Sequence, residues 1–265
     1  MLGATTAEVI PAQRTVRRSR VVFWTLLGFV LRDFVRSPWV FFNLLALVGS
    51  HALFYKYSPG RAYFFGIEYA STMLLAAVTA GVMLGRANRA ESYAILARPV
   101  PRASYTGAIV LAAWIVAIAG HLLTTLVMLR FGTWQDPQSD QINALTLLAD
   151  WRGNLPVLVA ATFAVGLIGL LSTFVSPSSV RLGMLALLAL LVMSFDNRNF
   201  PISQLRPVLQ EMPPVLAPVA GALKFATDPP PDSVATLSLT FLSAYAVLLI
   251  IFVLLLSGGR ELVLD

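Results

Sequence analysis

Two long apolar runs, residues 63–85 and 105–129, stand on either side of a polar, arginine-rich link at 86–105. A helix needs about 20 apolar residues to cross the hydrocarbon core of a bilayer, so each run is long enough to span. In lipid the backbone polar groups must bond within their own segment, which leaves helix as the form such a run takes. Two consecutive spans joined by a short link end on the same side. Every other part of the chain has to agree with that hairpin.

Composition agrees. Of 265 residues, 57% are hydrophobic and only 12% charged, against about 25% charged in a soluble domain. This excludes a soluble domain carrying one tail and indicates several spans. The chain has no cysteine, which excludes a disulfide framework, a thiolate metal site and a cysteine nucleophile. It also lacks a Walker-type phosphate loop, an H-E-x-x-H pair and a G-x-S-x-G elbow, so no catalytic residue and no metal ligand is assigned. The chain is not expected to be an enzyme.

Read in order, residues 1–20 are polar, with Arg14, Arg17, Arg18 and Arg20, and an apolar run follows at 21–31. That beginning resembles a signal peptide, but Arg32-Asp33-Phe34-Val35-Arg36 follows in place of a small-residue cleavage site. Thr25, Gly28, Arg32 and Arg36 fall at helical spacing and form a narrow polar stripe. This suits a helix lying in the membrane interface, and Ser37-Pro38 then turns the chain inward. The expected architecture is an all-α integral membrane protein with six transmembrane helices, an N-terminal interfacial amphipathic helix and a short cytoplasmic helix in the link. The spans are expected at about 38–55, 63–85, 105–129, 155–175, 182–195 and 234–256. Residues 1–37 form the cytoplasmic arm, 38–256 the transmembrane domain and 257–265 a cytoplasmic tail. A short amphipathic helix is expected near 142–148, and two apolar pieces at 202–212 and 215–226 are too short to cross. They suit half-buried helices packed on the bundle.

Net charge is +6, and of 19 basic residues only Lys56 and Lys224 are lysine. In a soluble protein this balance would raise nucleic acid as a partner; across spans it sets orientation instead. The side holding the N-terminus, the link, the turn at 176–181 and the tail has 12 basic and five acidic residues, and the other side seven and eight. The more basic side is expected to be cytoplasmic, with both termini inside, and no nucleic acid is expected as a partner.

Few polar residues fall inside the spans. His51 and His121 are read either as proton or ligand sites, which intramembrane ionisable groups often are, or as hydrogen bonds between helices. The second is the expectation, since no carboxylate lies at helical spacing from either. Glu68 either lines a pathway or, as expected, reaches the interface or pairs with a nearby arginine such as Arg61. Small residues recur in the second span (Ala70, Ser71, Ala76, Ala77, Ala80, Gly81) and the fourth (Ala160, Ala161, Ala164, Gly166, Gly169). They allow close packing, internal or between subunits.

Inside the link, residues 90–97 form a helical stretch with an apolar face of Tyr93, Leu96 and Ala97. Arg98-Pro99-Val100-Pro101-Arg102 stops it, because proline removes a backbone donor and disfavours helix before it. The apolar face either lies on the membrane or docks in a groove of a cytoplasmic protein.

The stretch Leu31 to Pro38, L-R-D-F-V-R-S-P, resembles the approach to the first span in ABC-2-type transporter permeases. So does the run from Glu91 through Leu96-Ala97-Arg98-Pro99-Val100-Pro101-Arg102 to Tyr105 and Gly107. The acidic-Gly-Thr lead usual before that helix is replaced by Asn88-Arg89-Ala90-Glu91-Ser92. The resemblance implies the membrane-spanning subunit of an ABC exporter in a bacterial plasma (inner) membrane. It would work as a dimer with a second permease copy or paralogue, over separate ATP-binding subunits that hold the ATP and magnesium. The link would be the coupling helix, with Arg89, Glu91, Ser92, Tyr93, Leu96, Arg98, Pro99 and Arg102 meeting the ATP-binding subunit. Arg32, Asp33 and Arg36 of the interfacial helix would form a second contact, and membrane lipid would surround the spans. The alternative is a membrane scaffold or accessory protein that docks a cytoplasmic partner without transport. A membrane enzyme acting on lipid is disfavoured by the missing catalytic clusters.

Overall fold

The computed structural model describes residues 12–50, 61–87, 102–131, 144–174, 217–227 and 233–259. Among these residues all regular structure is helical: α1 (Ala12–Val35), α2 (Pro38–Ser50), α3 (Arg61–Ala87), α4 (Arg102–Phe131), α5 (Ala144–Ala149), α6 (Trp151–Phe174), α7 (Ala217–Thr227) and α8 (Ser233–Gly259). Four of them, α3, α4, α6 and α8, are long and apolar enough to cross a bilayer, and the chain is a helical membrane protein. α2 is apolar but shorter within its described residues. The expected span at 182–195, the apolar piece at 202–212 and the helical part of the link lie outside the described residues.

The break between α1 and α2 follows from two residues. The Ser37 hydroxyl donates to the Phe34 carbonyl at 2.7 Å, and the Ser37 carbonyl accepts the Val40 N–H at 3.2 Å. Pro38 opens α2, where a missing N–H costs nothing because the first helical donors have no intrahelical partner. α1 buries Leu26, Leu27, Val30 and Phe34, while Thr25, Gly28, Arg32 and Arg36 stay exposed. The polar stripe read from the sequence is therefore the outward face of this helix.

α3 is the most buried of the four long helices, packed against α4, α6 and α7. The small residues have a defined use. Ala70, Ala76, Ala77 and Ala80 of α3 and Ala160, Ala161 and Ala164 of α6 are all buried within this chain. Gly166 and Gly169 of α6 face Leu249 and Val253 of α8, and a β-carbon on either would come within 2.9 Å and 3.0 Å of them. The stripe brings α6 close to α8, so its packing is internal. Side-chain hydrogen bonds fasten other pairs. Asn43 of α2 donates to Thr79 of α3 at 3.2 Å, and the Trp114 indole of α4 to Thr162 of α6 at 3.0 Å.

The helices share two ends. At the link end, Arg86 in the last turn of α3 meets Asp33 of α1, and the Phe23 ring of α1 faces Gly107 near the start of α4. α1 thus crosses the link end of the bundle instead of running beside the spans. At the opposite end lie the starts of α3 and α6 and the last turns of α4.

Candidate functional site

The opposite end carries a polar cluster inside the apolar bundle. It is built first by the junction between α5 and α6. α5 ends at Ala149 and α6 begins at Trp151, so Asp150 alone separates them. Its carboxylate Oδ1 accepts the N–H groups of Arg152 at 3.1 Å and Gly153 at 3.2 Å. That is an N-cap, which occupies two of the free donors at a helix start. The break also leaves the last carbonyls of α5 short of helical donors, with Leu147 accepting the Asp150 N–H at a long 3.3 Å. Asn154, one turn into α6, supplies them: its Nδ2 donates to the carbonyls of Leu147 at 2.8 Å, Leu148 at 3.1 Å and Asp150 at 2.9 Å.

With its nitrogen committed to three acceptors, Asn154 must turn its oxygen the other way. There it meets Nε2 of His121 on α4, 2.9 Å from Oδ1. The other ring nitrogen, Nδ1, lies 2.6 Å from Oε2 of Glu68 on α3. The His121 and Glu68 side chains are only 3% and 1% exposed. One turn on from His121, Thr125 donates to the His121 carbonyl at 2.9 Å, and Thr124 donates to that of Gly120 at 3.1 Å. These hydroxyls satisfy themselves on their own helix.

The expectation that Glu68 pairs with Arg61 or reaches the interface is corrected. The two residues lie seven positions apart on α3, about 10 Å along the axis, whereas same-face neighbours are three or four apart. Arg61 instead bonds through Nε to the Asp150 carboxylate, donates to the Ala226 carbonyl at 3.0 Å and lies over the Phe65 ring at 5.2 Å. One guanidinium therefore ties the starts of α3 and α6 to the last turn of α7. Tyr69 holds the first turn of α7, its hydroxyl donating to the Val219 carbonyl at 2.8 Å. His121 does make its bonds between helices, to a carboxylate and to an amide on two different neighbours.

Of the residues assigned to partner contacts, Arg32, Asp33 and Arg36 lie exposed at the end of α1 and just beyond it. Asp33 accepts from Arg86 at 3.0 Å. Arg102 opens α4, half-buried. Arg89, Glu91, Ser92, Tyr93, Leu96, Arg98 and Pro99 lie outside the described residues.

Asn154 was missed from sequence, and so was the Glu68–His121 pairing. The pairing does have a signal in the hairpin. From Ala87 back to Glu68 is nineteen residues, and from Arg102 on to His121 is also nineteen. In antiparallel helices joined at that end, equal counts mean equal depth.

Comparison with known protein families gives no match, and comparison with curated proteins gives none either.

Proposed function

We propose that this chain is the membrane-spanning permease subunit of an ATP-driven ABC-2-type exporter. In this reading six spans, both termini on the cytoplasmic side, form half of a dimeric pathway. A separate subunit binds and hydrolyses ATP. The observation that carries the reading is the Asp33–Arg86 contact at 3.0 Å. It fastens α1, which lies across one end of the bundle, to the helix turn from which the link departs. The end of α1 thus lies beside the turn of α3 at which the link begins, which is where this reading needs it. A push on the link or on α1 would be felt by α3, which packs against α4, α6 and α7.

The test is purification of the chain from its own membranes, followed by mass spectrometry of what comes with it. An ATP-binding protein with a Walker loop is expected, and the chain alone is expected to hydrolyse no ATP. Recovery with no ATPase, but with some other cytoplasmic protein bound at the link, would replace this reading with a docking scaffold.

A further inference from the structure

We propose that the Glu68–His121–Asn154 cluster is a proton-binding site, holding one proton in the contact between Nδ1 of His121 and Oε2 of Glu68. Such a site is independent of the exporter reading, and its protons are fixed from the amide inward. The nitrogen of Asn154 faces three backbone carbonyls, which only accept hydrogen bonds. Its oxygen therefore faces Nε2 of His121 at 2.9 Å, and Nε2 must carry a hydrogen. That fixes one imidazole hydrogen away from Glu68. At 2.6 Å between Nδ1 and Oε2, a second hydrogen has to lie in the contact.

This hydrogen sits either on Nδ1, giving an imidazolium and a carboxylate, or on Oε2, giving a neutral ring and a carboxylic acid. Both forms contain the same number of protons, and both are neutral overall. Without it, two lone pairs would face each other at 2.6 Å on side chains 1% and 3% exposed. Moving the remaining hydrogen from Nε2 to Nδ1 does not help, because the Nε2 lone pair would then face the Asn154 oxygen.

Among the described residues, the charged groups at this end of the bundle are engaged or exposed. Arg61 of α3 is held by Asp150 at the head of α6, Arg152 lies over the Trp151 ring, and Lys224 of α7 is exposed. The Tyr69 hydroxyl is committed to Val219. The occupant is a proton, and its two holders lie on different helices. Parting α3 from α4 at this level releases the proton to whatever solvent enters, and closing them takes one up.

The test uses the full chain in detergent, labelled with 15N-histidine. There are two histidines, so His51→Gln leaves His121 as the single signal. A hydrogen on Nε2 and a hydrogen-bonded proton at Nδ1 are expected at neutral pH. An unprotonated Nε2, or an Nδ1 with no proton contact, overturns the proposal. A second measurement counts protons released when the chain is denatured at pH 8 in weak buffer. Exposed glutamate and histidine, with ordinary values of about 4.3 and 6.5, both lack the proton there. Wild type should release one proton per chain more than Glu68→Gln, whose amide N–H can donate to Nδ1 without a titrating group. Equal release overturns the proposal. Should Glu68→Gln fail to fold, the nitrogen spectrum of His121 decides alone.

Discussion

The side-chain oxygen of Asn154 faces Nε2 of His121 at 2.9 Å because the nitrogen of the same amide is held by three backbone carbonyls. A break between two helices therefore sets the tautomer of a histidine on a third. Asn154→Asp replaces an amide whose two N–H hydrogens are shared among three carbonyls with a group that only accepts, aimed at carbonyl oxygens. Asn154→Ala takes a side-chain donor from those carbonyls and the acceptor from Nε2, which costs about 3 kcal/mol on ordinary values for buried polar groups. Asn154→Asp should cost at least as much, although it is closer in shape. Unfolding midpoints of the two variants in detergent check the order.

Asp150 has two roles that substitutions separate. Asn at this position still caps α6, since asparagine is as good an N-cap as aspartate, but it gives up the charge that holds Arg61. Asp150→Ala loses the cap as well and should be about 1 kcal/mol less stable than Asp150→Asn. Arg61 is only partly buried, so the charge contributes less than a fully buried pair. Arg61→Met should lower stability equally in the wild-type and Asp150→Asn backgrounds only if the pair contributes nothing. A double-mutant cycle measures the coupling.

What the sequence makes legible here is decided by length scale. The apolar runs at 63–85 and 105–129 mark α3 and α4 because a span is a long signal that tolerates a single Glu68 or His121. Equal distance from the link places those two side chains at one depth, and that too can be counted. The role of Asn154 could not be counted. It depends on α5 stopping one residue before α6 starts, a boundary within a polar segment with no span to frame it. Arg61 misled for the opposite reason: the charge nearest to Glu68 in sequence sits on the same face of the same helix but two turns away. Its partner Asp150 lies 89 positions away, brought in by the packing of α3 on α6. The apolar face of α7 was visible as an unspanning run, whereas the hold of Tyr69 and Arg61 on its two ends was not.

Close approach of α6 to α8 rests on Gly169. A β-carbon there would lie 3.0 Å and 3.3 Å from the two Val253 methyls, inside ordinary contact, and Val253 is fully buried. Gly169→Leu should destabilise the bundle by about 1–3 kcal/mol through overpacking. Gly169→Ala should cost less, and Val253→Ala should recover part of that loss by removing the methyls it meets. Recovery in the double variant, read from detergent unfolding, separates a steric cause from a general loss of small residues. Val253→Ala alone leaves a cavity and should be destabilising.

If Asp33 and Arg86 transmit force between α1 and the link, their pairing should matter to coupling more than to folding. Both side chains are substantially exposed, 51% and 39%, and exposed ion pairs contribute about 0–1 kcal/mol. Asp33→Arg and Arg86→Asp should each leave the unfolding midpoint nearly unchanged while lowering substrate-stimulated ATPase of the assembled complex. The exchanged pair, Asp33→Arg with Arg86→Asp, should restore much of it. Charge reversal at Glu91 or Arg98 in the link should also lower it, and neither should be rescued by the exchange at 33 and 86. Such a pattern separates a contact within this chain from contacts to a partner. Unchanged ATPase in all of these variants would remove the link and α1 from the path of coupling, and with them the ground for the exporter reading.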